Sequence, residues 1–167
     1  TLPFKRAVFL GSGPLLGTAT ESHLKLQELT DGQIICKDES FLGFRHGPKA
    51  VVDEETLIVY LMSNESYVSK YEHDLIFAME KGKKALAQVA IAERLDFDLD
   101  VDHEIRFSDS GKTLDEDFLT LPSIIPGQLL GFFKSLGEGL QPDAPSSSGA
   151  ISRVVQGVNI YDLPLKK

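Results

Sequence analysis

Apolar residues along this chain come in short blocks without alternation, separated by segments that repeat every three to four residues. KRAVFLG, residues 5 to 11, is the first block, and GSGP closes it, so it predicts a buried strand followed by a tight turn. QIICK, TLIVYLMS and ALAQVAIAE are the next three blocks and predict a second, third and fourth strand. Continuous apolar character favours parallel strands covered by helices on both sides. Between the first two blocks LLGTATESHLKLQELTDG takes helical spacing, with Leu15, Ala19, Ser22, Leu26 and Leu29 on one side and Gly32 as the stop. SNESYVSKYEHDLIFAMEKGKK has the length and period of a crossover helix that starts from a Ser or Asn cap and ends at Gly82. Repeated βαβ units predict an α/β fold: a three-layer, open, mostly parallel sheet flanked by helices, of the flavodoxin or Rossmann kind.

Beyond residue 95 the pattern changes. LDFDLDVDHEIRFS alternates apolar and acidic residues, as a strand with one wet face does. FLTLPSIIPGQLLGFFKSLGEGL is apolar and predicts a helix from about Gly127, DAPSSSGA predicts a loop, and VVQGVNIYDL a last short strand or an extended arm.

Composition narrows the class. At 167 residues with 42% hydrophobic and 25% charged positions, the chain suits one globular domain. A net charge of -8 without a dense basic run argues against a nucleic-acid groove, although a small anion needs only local donors. Cys36 has no second cysteine to pair with and lies in an apolar run, so it reads as a small buried hydrophobe of a reducing, cytoplasmic compartment. No apolar run reaches membrane-spanning length, and no charged-then-apolar leader opens the sequence. The sequence starts without Met and almost directly in a strand, which predicts an excised domain whose N-terminal partner is missing.

Three constellations carry candidate chemistry. GSGP places glycines where a phosphate approaches a helix N-terminus, and Asp38 and Glu39 follow the second strand where a ribose partner sits in dinucleotide folds. The spacing Gly11, Gly13, Gly17 is not GxGxxG, however, and a strand-to-helix turn needs glycine for steric reasons alone. Glu21, Lys25 and Glu28 fall on one helical stripe within roughly 60°. A carboxylate beside a lysine suits a base that removes a carbon-bound proton, and the same spacing equally fits a solvated ladder. In FRHGP, Gly47 and Pro48 restrain Arg45 and His46, and a histidine exchanges a proton near pH 7. Asp96, Asp98 and Asp100 do not make a calcium loop, because Val101 stands where Gly is needed and Phe107 where Glu is needed. His23, His73 and His103 show no metal-ligand spacing, so no metal is expected.

FLGSGPLLGTATESHLKLQELTDG, ESFLGFRHGPKAVVDEETLIVYLMSN and the tail SGAISRVVQGVNIY resemble the second sugar isomerase (SIS) domain of the tagatose-6-phosphate ketose/aldose isomerase family, related to the isomerase half of glucosamine-6-phosphate synthase. The likeness runs over nearly the full length. It implies that Glu28 moves a proton between C1 and C2 of an open-chain sugar phosphate, with Lys25 supporting it and Glu21 in the same polar stripe. It implies that His46 helps open the sugar ring by reaching into a neighbouring subunit's site, with Arg45 beside it among the substrate-binding residues. A homodimer or higher homo-oligomer follows, without a redox cofactor. Two departures stand out: Gln156 takes the place of a tail lysine, and the SxSGxxxET loop that holds the phosphate in the first SIS domain is absent. The resemblance therefore implies half of an active site, poor in substrate affinity alone. The expected activity is isomerisation of a sugar phosphate or deamination of an amino-sugar phosphate, for example galactosamine 6-phosphate to tagatose 6-phosphate. The alternative is a non-catalytic SIS module that senses a phosphosugar.

Overall fold

The computed structural model describes residues 2–95, 98–108, 113–147, 149, 151, 152, 154 and 157–164. Among the described residues five strands, β1 (Arg6–Gly11), β2 (Ile35–Ser40), β3 (Thr56–Leu61), β4 (Ala87–Ala92) and β5 (His103–Arg106), pair in the order β2-β1-β3-β4-β5, and each of these pairings is parallel. β1 shows why both faces must be covered. Ala7 and Phe9 enter one core cluster while Val8 and Leu10 enter the other. Four helices, α1 (Pro14–Leu29), α2 (Phe41–His46), α3 (Ser66–Glu80) and α4 (Glu116–Gly137), complete the layers, with a short 3-10 turn at Pro48–Val51 after α2. Leu15 and Leu26 of α1 and Leu119 of α4 pack with Phe9, whereas Phe41 and Phe44 of α2 and Leu75 and Ile76 of α3 pack with Val8. So α1 and α4 share one face of the sheet, and α2 and α3 the other.

Several elements differ from the sequence-based expectation. The second strand lies later than QIICK, because CKDES continues the ladder beside β1 as far as Gly11 and Ser40. FLGFRH is helical, since the Ser40 hydroxyl accepts the Gly43 N–H at 3.0 Å and caps a short α2. The cap of α3 is Glu65, whose own N–H donates to the Ser63 hydroxyl at 3.0 Å. Of the alternating acidic segment, only His103–Arg106 pairs among the described residues, and Asp96 lies outside them. α4 starts at Glu116 rather than near Gly127, capped by Asp115, whose carboxylate accepts the Asp117 N–H at 3.1 Å. Its internal Pro122 and Pro126 each remove a helical hydrogen bond, yet burial of Leu119 and packing on α1 outweigh that loss. Described residues of the tail 157–164 form no strand.

Candidate active site

Each α1 side chain follows from its place on the helix. Leu15, Ala19, Ser22 and Leu26 are buried, which turns Glu21, Lys25 and Glu28 to the flank beside α4. There the three meet. Lys25 Nζ donates to Glu28 Oε2 at 3.0 Å and lies 3.6 Å from Glu21 Oε1. The hydrogen bond to Glu28 raises Lys25 above its ordinary value against partial burial, and the field of Glu28 and then Glu21 adds to it. A lysine held in its charged form thus stands against a carboxylate whose side chain is 40% exposed, open enough to meet a substrate.

The α4 helix supports this flank from behind. A Cβ on Gly127 would lie 2.3 Å from Ser22 Oγ, and one on Gly131 would lie 3.3 Å from the Lys25 carbonyl oxygen. Two glycines one turn apart therefore let α4 approach the backbone that carries Ser22 and Lys25.

Arg45 and His46 end α2, with Arg45 half-buried and His46 exposed. Because α2 lies on the opposite face from α1, the sheet stands between His46 and Glu28 of one chain. The structure joins Glu21, Lys25 and Glu28; it does not bring Arg45 or His46 to them. Gln156 lies outside the described residues.

At GSGP the glycines answer to sterics. A Cβ on Gly11 would lie 2.3 Å from the Leu15 carbonyl oxygen, and Gly13 has φ of 52°. Asp38 and Glu39 lie within β2 rather than after it, and both are occupied: Asp38 accepts the Thr20 hydroxyl at 2.6 Å and lies 3.0 Å from His23 Nδ1, and Glu39 accepts the Ser40 N–H at 3.1 Å. The His23 ring is not aligned for a hydrogen bond through Nδ1, so that contact is one of proximity.

Sequence patterning did not reveal a polar knot at the carboxyl ends of β1 and β3, where the strand order reverses. Glu72 of α3 is fully buried there, its Oε2 accepting the Ser63 N–H at 2.9 Å, while the Ser63 hydroxyl donates to Glu116. Burial pushes Glu72 up to about 7, with the Ser12 hydroxyl and the Ser63 amide pulling the other way and Glu116 adding to the rise. Among the described residues, Oε1 of Glu72 finds no hydrogen-bond partner. The crevice in which open α/β sheets commonly take ligands is thus filled by carboxylates of the chain itself. A glutamate inside YEHDLIF is the only trace of this in sequence, and α3's apolar period alone does not distinguish it from an exposed one.

Among the described residues no group of three or more His, Cys, Asp or Glu side chains is placed to hold a metal ion, and no helix is long and apolar enough to cross a membrane. Cys36 is half-buried, and burial pushes its thiol up to about 12.

No family model matches the chain. It is 42% identical over 159 residues to D-galactosamine-6-phosphate deaminase AgaS of Shewanella sp. (strain ANA-3), covering 95% of this chain and 38% of the relative. The crystal structure of tagatose-6-phosphate ketose/aldose isomerase from Escherichia coli superposes with a TM-score of 0.79 at 36% identity, over 87% of this chain and 39% of that one. The C-terminal domain of glucosamine-fructose-6-phosphate aminotransferase from Francisella tularensis gives a TM-score of 0.62 at 25% identity, over 81% of this chain and 36% of that one. The chain spans about two fifths of the length of these longer proteins.

Proposed function

We propose, for a chain that resembles the SIS domains of the tagatose-6-phosphate ketose/aldose isomerase family over nearly its whole length, that it supplies the proton-transfer half of an amino-sugar-phosphate deaminase and isomerase. The observation that carries the reading is the joined Glu21, Lys25 and Glu28 stripe, on a sequence so similar to a galactosamine-6-phosphate deaminase. Open-chain galactosamine 6-phosphate carries an aldehyde at C1 and an amine at C2. Glu28 takes the C2 proton while the C1 oxygen takes up a proton to give an enolamine, and return of the proton from Glu28 to C1 leaves a protonated imine at C2, which releases one N–H proton to solvent. Water then adds to the imine carbon and ammonia leaves, so one galactosamine 6-phosphate and one water give one tagatose 6-phosphate and one ammonia. Lys25 orients Glu28, and Glu21 holds Lys25 from the other side.

The phosphate loop belongs, in this reading, to a first SIS domain preceding this one in a longer polypeptide. His46 assists ring opening from a neighbouring subunit of a homodimer or larger homo-oligomer. The position of His46, across the sheet from its own Glu28, supports that assignment. Arg45 contributes to substrate binding beside it. No redox cofactor enters the chemistry.

Ammonia release from galactosamine 6-phosphate, coupled to appearance of tagatose 6-phosphate, tests the reading in the full-length protein. Turnover is expected there and none in the 167-residue chain, because positioning supplies much of the rate in such a step. Binding of phosphosugars without any turnover by the full-length protein would transfer the assignment to a sensor module.

A further inference from the structure

The two faces of the sheet are covered unequally. On the side of α1 and α4, α1 lies against β1 and β2, and α4 lies chiefly against α1. What remains is an apolar groove of about 790 Å³, floored by Val89, Ile91 and Ile105 and walled by Pro122, Pro126 and Phe133 of α4. That is room for on the order of 25 waters, with few polar partners to hold them. Parallel strands are otherwise covered on both sides; here Ile91 is buried by its neighbours, but Val89 is only half-buried and Ile105 is 38% exposed, so the cover over β4 and β5 is incomplete on one side.

The start of the chain is fastened to the rim of this groove. Leu2 and Phe4 line it, the buried Lys134 ammonium donates to the Leu2 carbonyl oxygen at 3.4 Å and sits 4.7 Å from the Phe4 ring centroid, and Glu138 pairs with that ammonium at 2.5 Å. Polypeptide continuing upstream of Thr1 leaves from this rim. Consecutive elements pack as neighbours, and the longer relatives have more than half of their length outside the matched region.

We infer that the groove between α4 and the open β4–β5 face seats an amphipathic helix of the polypeptide immediately upstream of Thr1. The apolar stripe of that helix covers Val89, Ile91 and Ile105 and completes the second layer, and its polar side faces out. A second copy of the chain is the competing occupant, since α4 also exposes Phe118, Leu121 and Phe132, which lie outside the groove's lining. The fastened rim favours the upstream segment. The inference rests on the longer polypeptide of the proposed function, but not on its chemistry.

Two measurements on the full-length protein and the 167-residue chain test it. A photo-crosslinking residue at position 105 of the full-length protein is expected to join the ~25 residues ahead of Thr1, with a yield unchanged on tenfold dilution; a helix of about 13 residues spans the roughly 20 Å of a six-residue strand such as β4, and the window adds the turns at its ends. Phe133→Glu, whose parent side chain is 56% exposed here, is expected to leave the midpoint of thermal unfolding of the 167-residue chain within about 2 °C while lowering that of the full-length protein by about 4 °C or more. Crosslinks to another copy, to the tail, to a distant part of the polypeptide, or to nothing overturn the inference, as do equal shifts in the two proteins. Ammonia release is scored separately: its loss with the crosslink intact removes only the chemistry, and its presence without the crosslink removes only the helix.

Discussion

Glu28 of α1 and Glu72 of α3 are both helical glutamates, yet their surroundings differ. Glu28 meets a lysine at an open flank, and Glu28→Gln keeps the shape while removing the proposed base. In the full-length protein turnover is expected to fall by about 10² or more with little change in substrate binding, read from kcat and KM; a change of only a few fold would return Glu28 to a surface ladder. Glu72 is instead a matter of stability. Folding raises it from 4.5 to about 7, so between those values the native chain keeps a proton that the unfolded chain has released, and stability falls as pH rises through that window. At 1.36 kcal/mol per unit the loss is on the order of 3 kcal/mol as an upper figure. Denaturant midpoints at pH 5, 6, 7 and 8 are expected to decline in the parent chain and to flatten in Glu72→Gln. Helical arithmetic made Glu21, Lys25 and Glu28 legible in sequence, because their meeting needs only one helix. Glu72 was not legible, because its burial depends on Ser63 and Glu116 arriving from two other elements.

Elements that hold the site in place show where local rules yield to packing. α4 contains two prolines and was expected to start late, but a helix end is set by its cap and its buried contacts as much as by its interior residues. The α1–α4 seam gives a direct contrast between two helical glycines. Gly127→Ala would press a methyl group onto Ser22, and overpacking of this kind costs about 1–3 kcal/mol in chemical denaturation. Gly17→Ala meets nothing within 4 Å and is expected to stabilise the chain by roughly 0.5–1 kcal/mol, through helix propensity and a less flexible unfolded state. Equal effects at the two positions would show that the seam is loose. α2 was missed for the opposite reason. Six residues are too few for a readable period, and it is the Ser40 cap and the burial of Phe41 and Phe44 that make the helix.

At the scale of the whole molecule, the sheet separates His46 from Glu28 within a chain, and a two-fold pair offers the way to reunite them. Full-length Glu28→Gln and His46→Asn proteins, each inactive, are mixed under conditions that exchange subunits. If His46 serves the neighbouring site, each mixed dimer has one doubly damaged site and one intact site. About half of the dimers are mixed, so activity is expected to return to roughly a quarter of the parent value. Native mass spectrometry establishes that mixed dimers formed, and zero activity at that point would take His46 out of the partner's site. The sequence alone determined the alternation of strands and helices, the parallel sheet and the Glu21, Lys25 and Glu28 stripe. These follow from periods of two and 3.6 residues and from blocks of apolar residues too continuous for a one-sided strand. Only the tertiary structure decided that α1 and α2 lie on opposite faces, that the Glu72 and Glu116 carboxylates meet Ser63 at the strand reversal, and that a groove is left between α4 and the β4–β5 edge. Each of those depends on which segments distant in sequence come to share a surface, and a periodic pattern states that a residue is buried without stating what buries it.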